Sequence, residues 1–475
     1  MREIDGVQQE GYCLLRLCEE LESFVRAGRS RKTYLRETER FLEYLNASLS
    51  AIKRFARQVI VERTPLDLQK VRLKDFGEIE TALDRLYAIT KQAIDADSLA
   101  IPFSLVTYLN DQIHKFECAD SSSLVVLCGS DLMYYKWNLK PFRDLTVRLG
   151  TRIQNYPPFP NDTGILEFPY FAANDVLLNC IFFHETGHYL YEKANLHDAL
   201  QSRIVNDFFE FASKEKLLDV LRDPLIDWRN LLNYVRTLIL RWTDELFADI
   251  FAIRTLGAAF HLACRELEHV LPSVTRQSRH FSDTHPADDF RFKVHAKWLR
   301  EGEWLKVLEQ RVPTVYNKLV ACEKLKVEGT DFEIHCRPPI DDERGALTCR
   351  IHGWMQTEFD RLIPLIEDKS SELLQALEKP IVDFNRHDRS VTALLEHGVV
   401  PSTLFDSEGN AIHPLPTTIL NSGYFFYLSG MDALLRRIKS GDHRIDKRVT
   451  LIRRLNEWLG KALDDWQFIQ KRARQ

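Results

Sequence analysis

The stretch that decides the reading is Ile181-Phe182-Phe183-His184-Glu185-Thr186-Gly187-His188-Tyr189-Leu190, an HExxH motif set in apolar, helix-forming sequence. Four residues apart on an α-helix, His184 and His188 share one face about 6 Å apart along the axis, so both imidazoles reach a single metal ion. Glu185 stands on the adjoining edge, where the motif has its carboxylate take a proton from a metal-activated water rather than bind the metal. A chance HExxH on a solvated helix occurs in roughly one or two per hundred unrelated chains of this length. The flanks argue against that here, because Val176, Leu177, Leu178, Cys180, Ile181, Phe182, Phe183, Tyr189 and Leu190 surround the motif on nearly every face. Histidine and glutamate buried among them need partners, since an unpaired buried charge is very costly, and a metal supplies one. Gly187 costs about 1 kcal/mol relative to Ala in a helix interior, so its missing side chain is expected to admit close packing beside the metal.

A catalytic zinc site carries three protein ligands and one open position. Downstream, Arg241-Trp242-Thr243-Asp244-Glu245-Leu246-Phe247-Ala248-Asp249 sets acids into a helix built otherwise from Leu, Ile, Trp and Phe. One reading is an Arg241–Glu245 surface ion pair at i,i+4. The preferred one makes Glu245 the third ligand, with Asp249 one turn later bonded to the free nitrogen of a ligating histidine. It is preferred because both acids share a face amid too much apolar sequence to be comfortably solvated.

His184-Glu185-Thr186-Gly187-His188 followed by Glu245-Leu246-Phe247-Ala248-Asp249 resembles the HExxH…ExxAD arrangement of gluzincin metallopeptidases. The likeness is to the group containing the CAAX prenyl proteases and the bacterial membrane heat-shock proteases. The 56 residues between His188 and Glu245 suit that group better than thermolysin-like enzymes. Asp283-Thr284-His285-Pro286, followed by Arg291, is similar to the His-Pro…Arg segment those peptidases carry after the glutamate helix. The resemblance covers about residues 164–299. It implies Zn2+ as cofactor, a protein or peptide substrate, and His285 as the electrophile beside the metal. Tyr189 and Arg291 are further candidates for transition-state or substrate contacts, and His280 is a weaker one. The bland role of His285 is a structured Thr-His-Pro turn. The resemblance also implies extended substrate bound along an edge strand ahead of the motif, for which residues 164–168 are the candidate. Those peptidases are mostly membrane-embedded, whereas this sequence has no spanning segment, so a prenylated or membrane-bound substrate does not follow.

Around this centre the pattern changes twice. Up to residue 116 the chain is a succession of amphipathic segments (14–25, 34–61, 79–94). Residues 124–128, 151–156 and 164–168 read as short strands, and long apolar helices return over 174–193 and 225–270. The fold class expected is mainly α with a small β-sheet, an α+β zincin-like core flanked by helical domains. The expected divisions are a helical N-terminal domain (1–120), a metallopeptidase domain (121–328) and a mainly helical C-terminal domain (329–475), with a linker at 329–347. In the last, residues 391–428 read as an ordered loop and a buried element. The final helix, 446–469, carries the stripe Val449, Ile452, Leu455, Leu459, Leu463 and Trp466.

A chain of 475 residues with 45% hydrophobic and 28% charged residues is globular in composition, and a net charge of -5 gives little reason to expect a nucleic-acid binder. Nine cysteines without a CxxC pair favour a reducing compartment, and the first residues hold no apolar signal region. The protein is therefore expected in the cytoplasm, without membrane insertion. The flanking helical regions suggest access regulated by a protein partner. By analogy with soluble bacterial HExxH peptidases, stress response or phage defence is the expected setting. The last forty residues carry twelve Lys and Arg against five acids, which a solvated helix face explains more simply than a nucleic-acid contact. The alternatives are a catalytically inactive zinc-binding scaffold and a nucleic-acid-associated regulator using that basic segment.

Overall fold

The computed structural model describes residues 6–29, 36–61, 66–98, 103–119, 122–129, 134–215, 227–270, 279–326, 333–334, 345–377, 379–437 and 444–473. The protein is mainly α with small sheets, as its periodicities predict. Composition marks three segments, whereas internal contacts gather the chain into two compact units, residues 1–106 with 121–174 and residues 107–120 with 175–475.

In the first unit, α1 (Gly6–Arg29), α2 (Arg36–Val61) and α3 (Leu66–Ser98) bury apolar stripes that include Leu14, Leu45, Ile52 and Leu86. Most of α4 (Phe103–Ile113) counts with the second unit. β1 (Ser123–Gly129) runs parallel to β3 (Thr163–Pro169) over its whole length, and β2 (Tyr135–Lys136) lies antiparallel on β3's other side. All seven residues of both long strands are buried, which is why they read as continuous runs rather than alternations. β3 is therefore the central strand of three, and the edge-strand role expected of residues 164–168 is corrected.

Residues 151–156 are not a strand either. Phe142, Leu145 and Leu149 keep α5 (Lys140–Gly150) helical to its end, and Thr151 N and Ile153 N bond back to Val147 O and Leu149 O. Ile153 and Tyr156, which suggested a strand, anchor the resulting turn as buried side chains.

In the second unit, a 3₁₀ turn (Leu178–Ile181) leads into α6 (Phe182–Lys193), which carries the motif. α7 (Leu196–Lys214) follows, and then α8 (Trp228–Leu256), whose start is capped by the Asp227 carboxylate accepting from Arg229 N and Asn230 N. The apolar run over 225–270 is two helices, because Gly257 at φ +70 breaks it before α9 (Ala258–Val270). The Trp304 indole fills the space where a Cβ of residue 257 would lie, 2.2 Å from Cε2. β4 (His280–Phe281) pairs with β5 (Glu333–Ile334), and α10 (Asp288–Glu301), α11 (Trp304–Arg311) and α12 (Pro313–Glu323) follow β4. Apart from β5, the expected linker lies largely outside the described residues.

Beyond it come α13 (Gly345–Leu373), α14 (Pro380–Glu396), the hairpin β6 (Leu404–Phe405) with β7 (Ala411–Ile412), and α15 (Pro416–Phe425), all ten of whose residues are buried. This is the ordered loop and buried element expected there. Asn421 of α15 accepts from Ala259 N and donates to Leu256 O, so its amide clamps the backbone on both sides of the Gly257 break. α16 (Met431–Arg437) precedes α17 (Arg444–Ala473). In α17 the buried stripe starts at Leu451 and runs through Leu455, Leu459, Leu463 and Trp466, whereas Val449 is exposed. Basic residues of α17 meet nearby acids, Arg448 with Asp432, Arg454 with Glu457 and Lys461 with Asp465. Among the described residues no helix is long and apolar enough to cross a membrane.

Candidate metal centre

Three helices bring one-turn pairs to a common point. His184 and His188 come from α6, Glu245 and Asp249 from α8, and Arg291 and His295 from α10. α6 approaches α8 closely because Gly187 faces Ala248, and a Cβ at residue 187 would stand 2.5 Å from the Ala248 Cα. The expectation that Gly187 admits close packing is met, and Ala248 is what it admits.

The His184 and His188 Nε2 atoms are 3.1 Å apart, His184 Nε2 is 3.3 Å from Glu245 Oε2, and His188 Nε2 is 3.5 Å from Glu245 Oε1. A tetrahedral zinc with bonds near 2.0–2.2 Å requires ligand atoms about 3.3–3.6 Å apart. Each contact is near that spacing, with Glu245 meeting His184 through Oε2 and His188 through Oε1, and one atom from each of the three residues lies within 4.8 Å of the others. The far ring nitrogens support the same arrangement. His184 Nδ1 lies 2.9 Å from Asp249 Oδ1, approached obliquely, and His188 Nδ1 lies 2.8 Å from Asp244 Oδ1. A carboxylate at Nδ1 favours the proton there and leaves the Nε2 lone pair free. Two such lone pairs and a buried carboxylate oxygen without a hydrogen-bond donor, Glu245 Oε2, then converge, an arrangement that could hold a metal ion. Among the described residues this group has three members, His184, His188 and Glu245.

Electrostatics reflect the same convergence. Burial opposes protonation of His184, but Asp249 and Glu245 outweigh it and raise its pKa to about 10. Burial likewise opposes a charge on His188, and Asp244 and Glu245 override it, so its pKa too is raised. For Glu245 burial favours the neutral acid, yet His285, His188 and His184 hold it well below the usual carboxylate range. Asp249, fully buried, is held down in the same way against its burial, chiefly by Arg291 and then His295. Arg291 donates twice to it, Nε to Oδ2 at 2.8 Å and Nη2 to Oδ1 at 2.7 Å.

Glu185 is buried to 8% exposure, and among the described residues it has no hydrogen-bond or ion-pair partner. A carboxylate so placed stands next to His184 and is not committed to another group among the described residues. His285 is brought to the centre, its Nε2 3.5 Å from Glu245 Oε1 and its side chain 45% exposed. It also forms the turn foreseen as its bland role: His285 N donates to Ser282 Oγ, and Ser282 N donates to His285 O. The turn is tied to α8 by Arg241 Nη1 and Trp242 Nε1, which donate to the Asp283 and Ser282 carbonyls. Arg241 thus holds the loop, and the surface pair with Glu245 is not formed. The Glu245 charge works to raise the His285 pKa, but burial together with Arg291, His184 and His188 lowers it on balance.

Arg291 acts on Asp249 and stands 3.6 Å from Glu245 Oε2, a supporting place rather than one facing substrate. Tyr189 is buried beneath the Lys193 ammonium, 5.4 Å from its ring centroid, and follows His188 on a different helical face. His280 lies in β4. Three contributors escaped the sequence reading: Asp244, His295 and His261. Asp244 is adjacent to Glu245, and His295 lies four residues after Arg291, the same spacing that picks out the other pairs. His261 sits on α9 beyond a helix break and had no such signal.

Comparison with known proteins returns no matching family profile, no matching curated protein and no matching solved structure.

Proposed function

We propose that this protein is a zinc-dependent endopeptidase of the gluzincin type, with His184, His188 and Glu245 holding the metal. One observation carries the reading: His184, His188 and Glu245 converge so that one ligand atom from each lies within 4.8 Å of the others, beside the Glu185 carboxylate, which has no partner among the described residues. A closed structural site needs a fourth protein donor, and the three-membered group supports an open position instead. Bound zinc supplies a Lewis acid that polarises a carbonyl oxygen and lowers the pKa of water toward about 7.

Glu185 accepts the proton of the attacking water at its carboxylate and delivers it to the leaving amine nitrogen as the peptide bond breaks. His285, neutral at pH 7 and half exposed, donates a hydrogen bond from Nε2 to the oxyanion, while Thr284 Oγ1 at 2.7 Å holds its Nδ1. Asp249 and Asp244 fix the orientation of the two ligating rings. The eight described cysteines are all free, which supports a reducing, cytoplasmic setting. A regulated role in stress response or phage defence rests on analogy with soluble HExxH peptidases.

The test is the Glu185→Gln variant. It is expected to keep stoichiometric zinc and to lose at least about a hundredfold in cleavage. Comparing the protein termini generated in cells by the wild type and by this variant identifies the substrate at the same time. Termini that appear equally with both would end the general-base assignment.

A further inference from the structure

The polar network does not stop at Asp249. Asp249 Oδ1 faces His184 Nδ1 and Arg291 Nη2, while Oδ2 faces Arg291 Nε and, at 3.1 Å, His295 Nε2; both imidazole nitrogens approach the carboxylate obliquely, at ion-pair distance without an aligned hydrogen bond. His295 is 1% exposed, and its Nδ1 lies 3.1 Å from Nδ1 of His261, itself fully buried. Two imidazoles therefore stand in series behind the carboxylate that orients a candidate metal ligand.

We infer that His295 is a positioning residue for the metal centre: its Nε2–H holds Asp249, which holds the His184 ring with Nε2 turned to the metal, and His261 fixes the His295 tautomer from behind. This rests on the metal-site reading above.

The proton positions follow from the contacts. Asp249 is ionised and only accepts, so the ring nitrogen facing it must donate. With the proton on Nε2, a neutral His295 presents a lone pair at Nδ1, and the Nδ1 of His261 must supply the hydrogen between them. His261 Nε2 is then a bare lone pair, which agrees with its being buried without a hydrogen-bond partner. Burial keeps both rings below the usual histidine range, consistent with neutral imidazoles. Arg291 meets both Asp249 oxygens, and His295, from the next turn of the same helix, adds a second contact on Oδ2. Carboxylates that orient metal-binding histidines are themselves held by hydrogen bonds, and loosening such a support weakens metal affinity rather than destroying the site.

The experiment measures zinc affinity of the full chain by chelator competition for the wild type, His295→Gln and His295→Asn. A glutamine amide reaches the place of Nε2–H, whereas an asparagine amide reaches only that of Nδ1. The Gln variant is expected within about threefold of wild type and the Asn variant about tenfold or more weaker. Gln also fills more of the site than Asn, so the order of the two variants is read together with the tautomer measurement below, which a space-filling role would not fix; equal affinity of the Asn variant and wild type overturns the inference. A second measurement does not depend on any variant folding. In wild-type protein labelled with ¹⁵N-histidine, His295 is expected to carry its proton on Nε2 and His261 on Nδ1; a His295 protonated on Nδ1 overturns the inference. Zinc bound without hydrolysis would end the peptidase reading alone, and a wild type that binds no zinc would end both.

Discussion

Gly187 and Ala248 touch across α6 and α8 with no room for a methyl group, since a Cβ at residue 187 would lie 2.5 Å from the Ala248 Cα and 3.0 Å from its carbonyl oxygen. Two effects oppose each other in Gly187→Ala. The helix gains about 1 kcal/mol of propensity, but overpacking against backbone costs about 1–3 kcal/mol because no flexible side chain can yield. We expect a net loss of about 1 kcal/mol in urea unfolding, and at least about tenfold weaker zinc binding, as the ligands sit on these two helices. A variant with undiminished zinc affinity would show that helix separation does not set the ligand spacing.

Zinc binding should release protons. With a pKa raised to about 10 by Asp249 and Glu245, metal-free His184 is protonated at pH 7 and must lose that proton to bind metal. The sign follows: lowering pH favours the protonated site, so affinity falls by about tenfold per unit through the range below 10. Calorimetry at pH 7 in two buffers of different ionisation enthalpy should find about one proton or more released per zinc. Identical heats in both buffers would contradict the prediction.

Asp249→Asn removes the charge that Arg291 is paired with and the acceptor that faces His184. Breaking a buried pair by removing one partner costs about 3–5 kcal/mol. Arg291 Nη2 is already 3.6 Å from Glu245 Oε2, so the freed guanidinium is expected to turn to that ligand and compete with the metal for it. Thermal unfolding without metal and zinc titration should both be impaired, affinity by about 10–100-fold. Full zinc affinity in a stably folded variant would remove Asp249 from its supporting role.

Away from the metal, Glu358 on α13 is fully buried with neither carboxylate oxygen hydrogen-bonded, and it faces Asp207 on α7; Arg361 at 3.8 Å from Glu358 and Arg203 at 3.5 Å from Asp207 offset the pairing of two acids only in part. Burial, and then Asp207, raise the Glu358 pKa from 4.5 to about 7. For an acid raised in the folded state, the stabilisation is complete below the unfolded value and is lost as pH rises through about 7. Glu358→Gln supplies a permanent donor, so it should be more stable than wild type at pH 8, by on the order of 2 kcal/mol, and show little difference at pH 4. Urea unfolding at the two pH values checks this, and a pH-independent difference would refute it.

The helices were legible because burial makes each one amphipathic, and the candidate ligands because i,i+4 spacing on a helix fixes which side chains share a face. His184, His188, Glu245, Asp249 and Arg291 were all found that way or through their motif context, and they meet in space. His261 was not legible, since its part depends on how α9 turns after Gly257, and that turn depends on Trp304 and on Asn421 more than 160 residues later. The strand misread at 151–156 has the same origin, for Ile153 and Tyr156 are buried by tertiary packing that a short alternating pattern cannot distinguish from a sheet. The position of β3 within its sheet is likewise a matter of pairing partners distant in sequence.

Asn421 is hydrogen-bonded to Leu256 and Ala259, and Asn456 Oδ1 on α17 accepts from Leu177 N just ahead of the motif helix. Gly460 of α17 also packs its bare backbone face near Val176. The helices after residue 345 are thus part of the scaffold that sets the geometry of the proposed metal centre. A chain cut after α12 would keep every proposed ligand and still lose the supports that aim them, so the smallest active fragment should extend through α17.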